Sequence, residues 1–257
     1  MMTGEKLSAK DDWDEHWDRY AAAAALNPAQ RMRHDAIVRI LKTAPHPVQR
    51  LLDVGSGQGD FLSRAVAERI ARVYAGFEMS ESGISISKTK VPGAEFVRVD
   101  LFAPPADAAR FAGWADAAVC SDVIEHVDDP VGFLRNLRTY LAPGALLALT
   151  VPGGPMSTFD HHIGHRRHYT KRLAREVLED AGFMVDTVMR AGFPFFNLYR
   201  LVVIARGARL IEDVESDGER AAGGLARLVM ALFRVLFRFN LKDSTAGWQI
   251  VAVARNA

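Results

Sequence analysis

Cysteine is nearly absent: Cys120 is the only one, so no intrachain disulfide can form and no cysteine-based metal site can be built. Neither sign of charge dominates. The 32 lysines and arginines are met by 31 aspartates and glutamates, for a formal net charge of +1. There is thus no basic field to draw nucleic acid and no acidic excess of the kind that keeps a chain disordered. No uncharged apolar run approaches the roughly 20 residues that span a bilayer. The stretch from Met1 to Asp18 is polar and acidic, without an apolar signal core. A cytoplasmic protein is expected. What is present is 49% hydrophobic and 25% charged residues over 257 positions. That is an ordinary globular composition, enough for roughly one to two domains.

The first 45 residues read as helical. Trp13, Trp17 and Tyr20 fall at i, i+4 and i+7 on one helix face. They either close over a ligand or form only the apolar face of a helix; the second reading needs no further assumption and is preferred. An alanine run follows, then Asn27-Pro28, a cap with proline at the first helical position. From Arg50 a strand–helix alternation begins, with strands at 50–54, 73–77, 95–99, 116–120, 145–151 and 183–189. Helices are expected at 60–70, 81–88, 130–141 and 170–181. Such regularity predicts an α/β fold with a mostly parallel sheet and right-handed crossovers that put helices on both faces. The alternation breaks at Gly192 and resumes with a last strand at 247–254. Three parts follow: a helical cap at 1–45, a sheet domain at 46–191 plus 244–257, and an inserted helical hairpin at 192–243.

In an open α/β sheet, ligands bind beyond the carboxyl ends of the strands. Asp53, Glu78, Asp100 and Asp122 each lie at or just past a strand end. Four acids there make a poor phosphate site and a good one for a ligand with cationic and hydroxyl groups. Gly55, Gly57 and Gly59 allow a tight turn and a close approach to backbone. Their spacing is G-x-G-x-G, not the G-x-G-x-x-G of dinucleotide sites. Glu78, about twenty residues on, is placed to accept from ribose hydroxyls.

The segment from Leu51 to Gly59 resembles the first motif of class I S-adenosylmethionine-dependent methyltransferases. Gly76-Phe77-Glu78-Met79-Ser80 resembles their second motif, and Val99-Asp100-Leu101 the segment whose acid contacts the adenine amino group. Cys120 to Val127 is similar to the fourth-strand segment of the quinone-biosynthesis type, and Leu141-Ala142-Pro143-Gly144 to the turn before the fifth strand. The resemblance covers residues 50 to 190 in order. It implies a Rossmann-like seven-stranded sheet with an antiparallel last strand, and S-adenosyl-L-methionine as cofactor. It also implies cofactor contacts at Asp53, Gly55, Ser56, Gly57, Gly59, Glu78, Met79, Asp100, Leu101, Ser121 and Asp122.

The run from Asp160 to Thr170 is rich in histidine and lies beyond the fifth strand. It resembles a "GH-x-R-x-Y" segment of a bacterial subgroup of these enzymes. A histidine there serves as general base in one reading, with His165 first, His162 second and His126 a separate candidate. In another reading His161, His162 and His165 bind a metal; with only Asp160 acidic nearby, no metal is expected. In a third, Arg166, Arg167 and Tyr169 fasten a lid to the acidic N-terminal helices.

In the hairpin, Arg227, Arg234 and Arg238 form a narrow basic stripe on an otherwise apolar helix. A lid or homodimer face is preferred over peripheral contact with the inner membrane face. The expected reaction is methyl transfer to an oxygen, ahead of nitrogen or carbon, of a small molecule, apolar or lipid-linked in keeping with that hairpin. The rivals are a non-catalytic binding or assembly subunit and a nicotinamide-dependent oxidoreductase.

Overall fold

The computed structural model describes residues 12–15, 17, 27–216 and 224–257, with 208–216 and 224–227 described by their backbone alone. Tyr20 and the alanine run lie outside the described residues, as does the side chain of Arg227. Seven strands form one sheet in the order β3-β2-β1-β4-β5-β7-β6. They are β1 Arg50–Val54, β2 Val73–Glu78, β3 Glu95–Arg98, β4 Ala115–Ser121, β5 Leu141–Pro152, β6 Phe183–Ala191 and β7 Gln249–Asn256. The pairs β1–β2, β2–β3, β1–β4 and β4–β5 are parallel. The last strand, β7, runs antiparallel between β5 and β6, as the family resemblance implies.

Alternation along β1 explains the two cores. Successive side chains point to opposite sheet faces, so Leu52 and Val54 join one apolar cluster and Leu51 the other. The first cluster takes Phe133, Leu134 and Leu137 from α4 (Pro130–Arg138) and Ala174, Val177 and Leu178 from α6 (Lys171–Asp180). The second takes Ile37, Val38 and Leu41 from α1 (Pro28–Lys42), Phe61, Leu62 and Ala65 from α2 (Asp60–Ala67), and Ile84 from α3 (Glu81–Lys90). Helices therefore cover both faces. Each of the larger of these side chains contributes roughly 1.5–3 kcal/mol by leaving water, and truncation of the fully buried Leu52 to alanine costs about 2–5 kcal/mol.

Local chemistry fixes the helix starts. The Asn27 side chain accepts from the Ala29 amide with Pro28 at the first position of α1. Thr170 caps α6 through the Leu173 amide. Several boundaries differ from the sequence reading. The helix expected at 130–141 stops at Arg138, because Leu141 already pairs with Ala115 as part of a longer β5. The helix expected at 60–70 stops at Ala67, and Arg69 takes a positive φ of 54°. A short helix, α5 (Thr158–His162), closed by a reciprocal Ser157–Asp160 capping box, overlaps the start of the histidine run.

Between β6 and β7 lie α7 (Phe195–Ser216), kinked at Gly207, and α8 (Gly224–Leu236). Phe196, Phe233 and Phe237 from this region pack with Ala29 of α1. Among the described residues no helix is long and apolar enough to cross a membrane.

Candidate active site

The β1–α2 loop turns back sharply. Gly55, Gly57 and Gly59 have φ of +71°, +53° and +76°, a region that side chains disfavour. The Gly55 and Ser56 amides both donate to the Phe77 carbonyl. At the end of β2, the buried Glu78 carboxylate accepts from the Gly57 amide at 2.7 Å and from the Met79 and Ser80 amides at 2.9 Å. Burial pushes Glu78 up, and these three amides pull against that shift. Asp53 is buried one residue before the end of β1, and burial, then the nearby Glu78 charge, push its carboxyl up to about 8.

A cavity of about 450 Å³ opens beyond the strand ends. Of the sequence-predicted residues, Gly55, Glu78, Met79, Asp100, Leu101, Asp122 and His126 line it. Asp53, Ser56, Gly57, Gly59, Ser121, His162 and His165 do not stand on its wall. Gly57 and Gly59 shape the loop behind it instead. The Ser121 hydroxyl is engaged with that of Thr150 at 2.8 Å.

The tryptophans correct the preferred helix-face reading, since Trp13 and Trp17 both line the cavity. Trp17 lies over the glycine loop so closely that a Cβ on Gly57 would meet its Cζ2 at 2.5 Å. Trp13 stands edge-on to His126 with ring centroids 4.9 Å apart. Asp14 ties this segment down. Its Oδ1 accepts from the Ser80 hydroxyl at 2.6 Å and the Ser82 amide at 3.0 Å, and these bonds hold its carboxyl below the usual range.

The far end of the cavity is lined by the segment that follows β4 and by Arg166 of the histidine run. Asp122 follows β4 with a positive φ of 54°, costly for a residue with a side chain. It pairs with Arg33 of α1 at 2.6 Å and accepts from Thr150 at 3.2 Å. Asp160 is held by Arg200 of α7 through two bonds, at 3.0 and 2.6 Å. Burial pushes Asp160 up, but Arg200 and Ser157 outweigh it and hold its carboxyl down to about 2.

Two of the candidate histidines meet in space. His126 faces the cavity, and His165 packs behind it with ring centroids 4.7 Å apart. Burial, then His126, hold His165 well below the usual imidazole range. Arg166 and Arg167 bind Asp128, through its carboxylate and its carbonyl respectively. Sequence reasoning missed Asp14, Arg33, Arg200 and the wholly buried Glu125. The first three act through partners 40 or more positions away, and only the fold brings them together.

A family model described as a methyltransferase domain matches residues 17–188. The chain is 31% identical over 129 residues to a ubiquinone biosynthesis O-methyltransferase of Ralstonia nicotianae, covering 50% of this chain and 52% of that one. It is 33% identical over 146 residues to the enzyme of the same name from Caulobacter sp. strain K31, covering 52% and 56%. The chain thus spans about half the length of these curated relatives. Among solved structures, Haemonchus contortus phosphoethanolamine N-methyltransferase 2 in complex with S-adenosyl-L-methionine superposes with a TM-score of 0.62 at 15% identity, covering 99% of this chain and 61% of that one. The [4+2]-cyclase SpnF superposes at 0.59 and 16% identity, with 98% of both chains covered. At such identities the likeness is one of fold, and this fold carries more than one chemistry. The matched domain spans the glycine loop, the strand-end acids and the histidine run, and by it the chain belongs to the methyltransferase-domain family.

Proposed function

We propose that the cavity binds S-adenosyl-L-methionine and that the chain moves its methyl group to an oxygen of a small molecule. The observation that carries this is the acid-lined wall. Glu78, Asp100 and Asp122 face the space, and Asp53 is buried beside the loop. Such a wall suits a ligand with a sulfonium, an ammonium and ribose hydroxyls, and repels a pyrophosphate. Glu78 takes the ribose, Asp100 the adenine edge, and Asp53 with Asp122 the methionyl end. The glycine loop lets that end approach the backbone, and Trp13 and Trp17 cover it and exclude water. The sulfonium is already activated, so the protein mainly aligns the two reactants. The attacking oxygen forms its bond to the methyl carbon as the sulfur–methyl bond breaks, and the electron pair stays on sulfur. The named relatives are O-methyltransferases, which favours oxygen as the acceptor atom. The acceptor enters at the end lined by Asp122 and His126, whereas His162 is off the wall.

Thermal unfolding with S-adenosylmethionine, S-adenosylhomocysteine and nicotinamide dinucleotides tests the cofactor. A ligand that binds only the native state raises the melting temperature. A rise with the adenosyl ligands that is lost in Asp53→Ala is expected; a rise with a dinucleotide alone overturns the reading. Methyl transfer to a panel of hydroxylated small molecules then separates an enzyme from a binding subunit.

The hairpin at 192–243 supports a second contact. Leu228, Leu232 and Val235 of α8 are 67%, 55% and 51% exposed, and their spacing places them on one side of the helix, opposite the buried Phe233; Phe239, in the 3-10 turn that follows, is 68% exposed. This face joins two copies of the chain. A dimer in solution that Leu232→Glu dissociates is the expected result. A wild-type monomer that sediments with anionic vesicles assigns the face to a membrane surface instead.

A further inference from the structure

We propose that Glu125, His126 and His165 form a binding site for a divalent transition-metal ion, zinc by the chemistry of its ligands, at the acceptor end of the cavity. One ligand atom from each of these three residues lies within 4.8 Å of the others. A tetrahedral zinc holds its ligand atoms about 3.4 Å apart, given bonds of about 2.1 Å, so small side-chain rotations close the set. Two imidazoles and one carboxylate are a donor set that holds a catalytic zinc and leaves a position open.

Three further observations point to this set. Glu125 is 0% exposed, and neither of its carboxylate oxygens has a hydrogen-bond partner on another described residue. A buried acid in that state is costly unless paired or bound to a metal. Its neighbours are provided for: Asp122 has Arg33 and Asp160 has Arg200. A cation on Glu125 gives the third of these neighbouring acids a partner of its own.

The second observation concerns protons. His168 Nδ1 lies 3.0 Å from the Gly154 carbonyl, which can only accept, so Nδ1 carries the proton and Nε2 is bare. His165 Nδ1 lies 3.2 Å from that Nε2 and must donate to it. The lone pair of His165 is therefore on Nε2, the nitrogen left for a ligand. An orienting partner on the second ring nitrogen is the usual accompaniment of a metal-bound histidine.

The third concerns the rival set Asp160, His165 and His168, whose ligand atoms also cluster. Its carboxylate already accepts from Arg200 and from the Ser157 amide and hydroxyl, and the His168 nitrogens are both engaged in the relay. The Glu125 set has the open carboxylate.

His126 lines the cavity, so an ion held here meets the acceptor. This role rests on the hydroxyl-acceptor reading above. The ion lowers the hydroxyl's pKa, its proton leaves to solvent, and the oxygen attacks the methyl carbon. Metal binding itself is independent of that reading and is measured without cofactor.

The test uses the full chain, dialysed against chelator and titrated with Co(II) and Zn(II) by calorimetry, with Co(II) absorption as a second readout. One ion per chain and visible Co(II) bands of a low-coordinate site are expected. Glu125→Gln and His165→Ala abolish the bands, His168→Ala weakens binding on the order of 10–100-fold, and His162→Ala leaves it unchanged. No stoichiometric binding by the wild-type protein overturns the proposal, whatever the folding of the variants. So does Glu125→Gln binding as wild type while His168→Ala loses the ion, which moves the site to the Asp160 set. The melting-temperature rise with S-adenosyl ligands, recorded on the metal-free protein, reports separately on the cofactor reading.

Discussion

The Glu78 carboxylate accepts the Gly57 backbone N–H at 2.7 Å across 21 positions of chain. One acid therefore holds the glycine loop closed and presents itself to the cavity. Glu78→Gln keeps the shape but turns an amide NH2 towards the donors that meet this side chain. A hydrogen bond to a charged group contributes about 1.5–3 kcal/mol, so S-adenosylmethionine binding weakens by roughly 10–100-fold. Calorimetric titration reads this directly; an unchanged affinity removes Glu78 from the cofactor site.

Asp53 makes the site sensitive to pH. Its folded pKa is raised, by burial first, to about 8 from the ordinary 3.8. Between those values the native state holds a proton that the unfolded chain has lost. The stability this gives is complete below pH 3.8 and is lost as pH rises through 8. The slope reaches at most about 1.4 kcal/mol per pH unit, and Asp53→Asn flattens it. A cationic ligand reverses the balance by drawing Asp53 into its charged form. Cofactor binding then releases a proton below pH 8, and calorimetry in buffers of different ionisation enthalpy counts it. No proton release at pH 7 means Asp53 does not meet the cation.

Trp17 and Gly57 are coupled by contact. Alanine at 57 faces the Trp17 ring at 2.5 Å and must hold φ at +53°. The backbone strain costs about 1–3 kcal/mol whatever the space, and the clash adds to it. Trp17→Ala removes only the clash. A double-mutant cycle by thermal unfolding is expected to show Gly57→Ala costing less in the Trp17→Ala background, by roughly 0.5–3 kcal/mol. Additive effects place Trp17 off the loop in solution.

Much of this was legible in the sequence because it is local. The strand-end acids, the glycine turn and the delayed last strand are written in short segments whose periodicity and turn residues reflect backbone sterics. The Asn27 cap was legible for the same reason. What the sequence hid is tertiary. Trp13 and Trp17 have a helix-face spacing, and spacing does not say what the face meets. His165 came first for its place beyond the fifth strand and its segment's resemblance, and neither says that His126 faces the cavity with His165 packed behind it. Glu125 reads as a polar position in a turn, and only the fold buries it completely with no hydrogen bond from another described residue.

Arg200 and Asp160 show how the segment between β6 and β7 acts on the site. Their two-bond pair joins α7 to the short helix that begins the histidine run, with side chains only 13% and 1% exposed. Removing one partner of a buried pair leaves an uncompensated charge, so Arg200→Ala costs about 3 kcal/mol at neutral pH. Asp160 has a folded pKa lowered to about 2 from 3.8. The stability the pair gives is therefore present above pH 3.8 and lost as pH falls through 2. The gap in melting temperature between wild type and Arg200→Ala closes over the same acid range, because the stranded Asp160 protonates in the variant. Arg200→Met with Asp160→Leu removes both charges and recovers most of the loss, since an apolar pair of similar volume replaces a buried ion pair at little cost. A drop below about 1 kcal/mol in Arg200→Ala, the range of a solvated surface pair, detaches α7 from the histidine run and leaves the order of that run to Ser157 and the Gly154–His168–His165 relay.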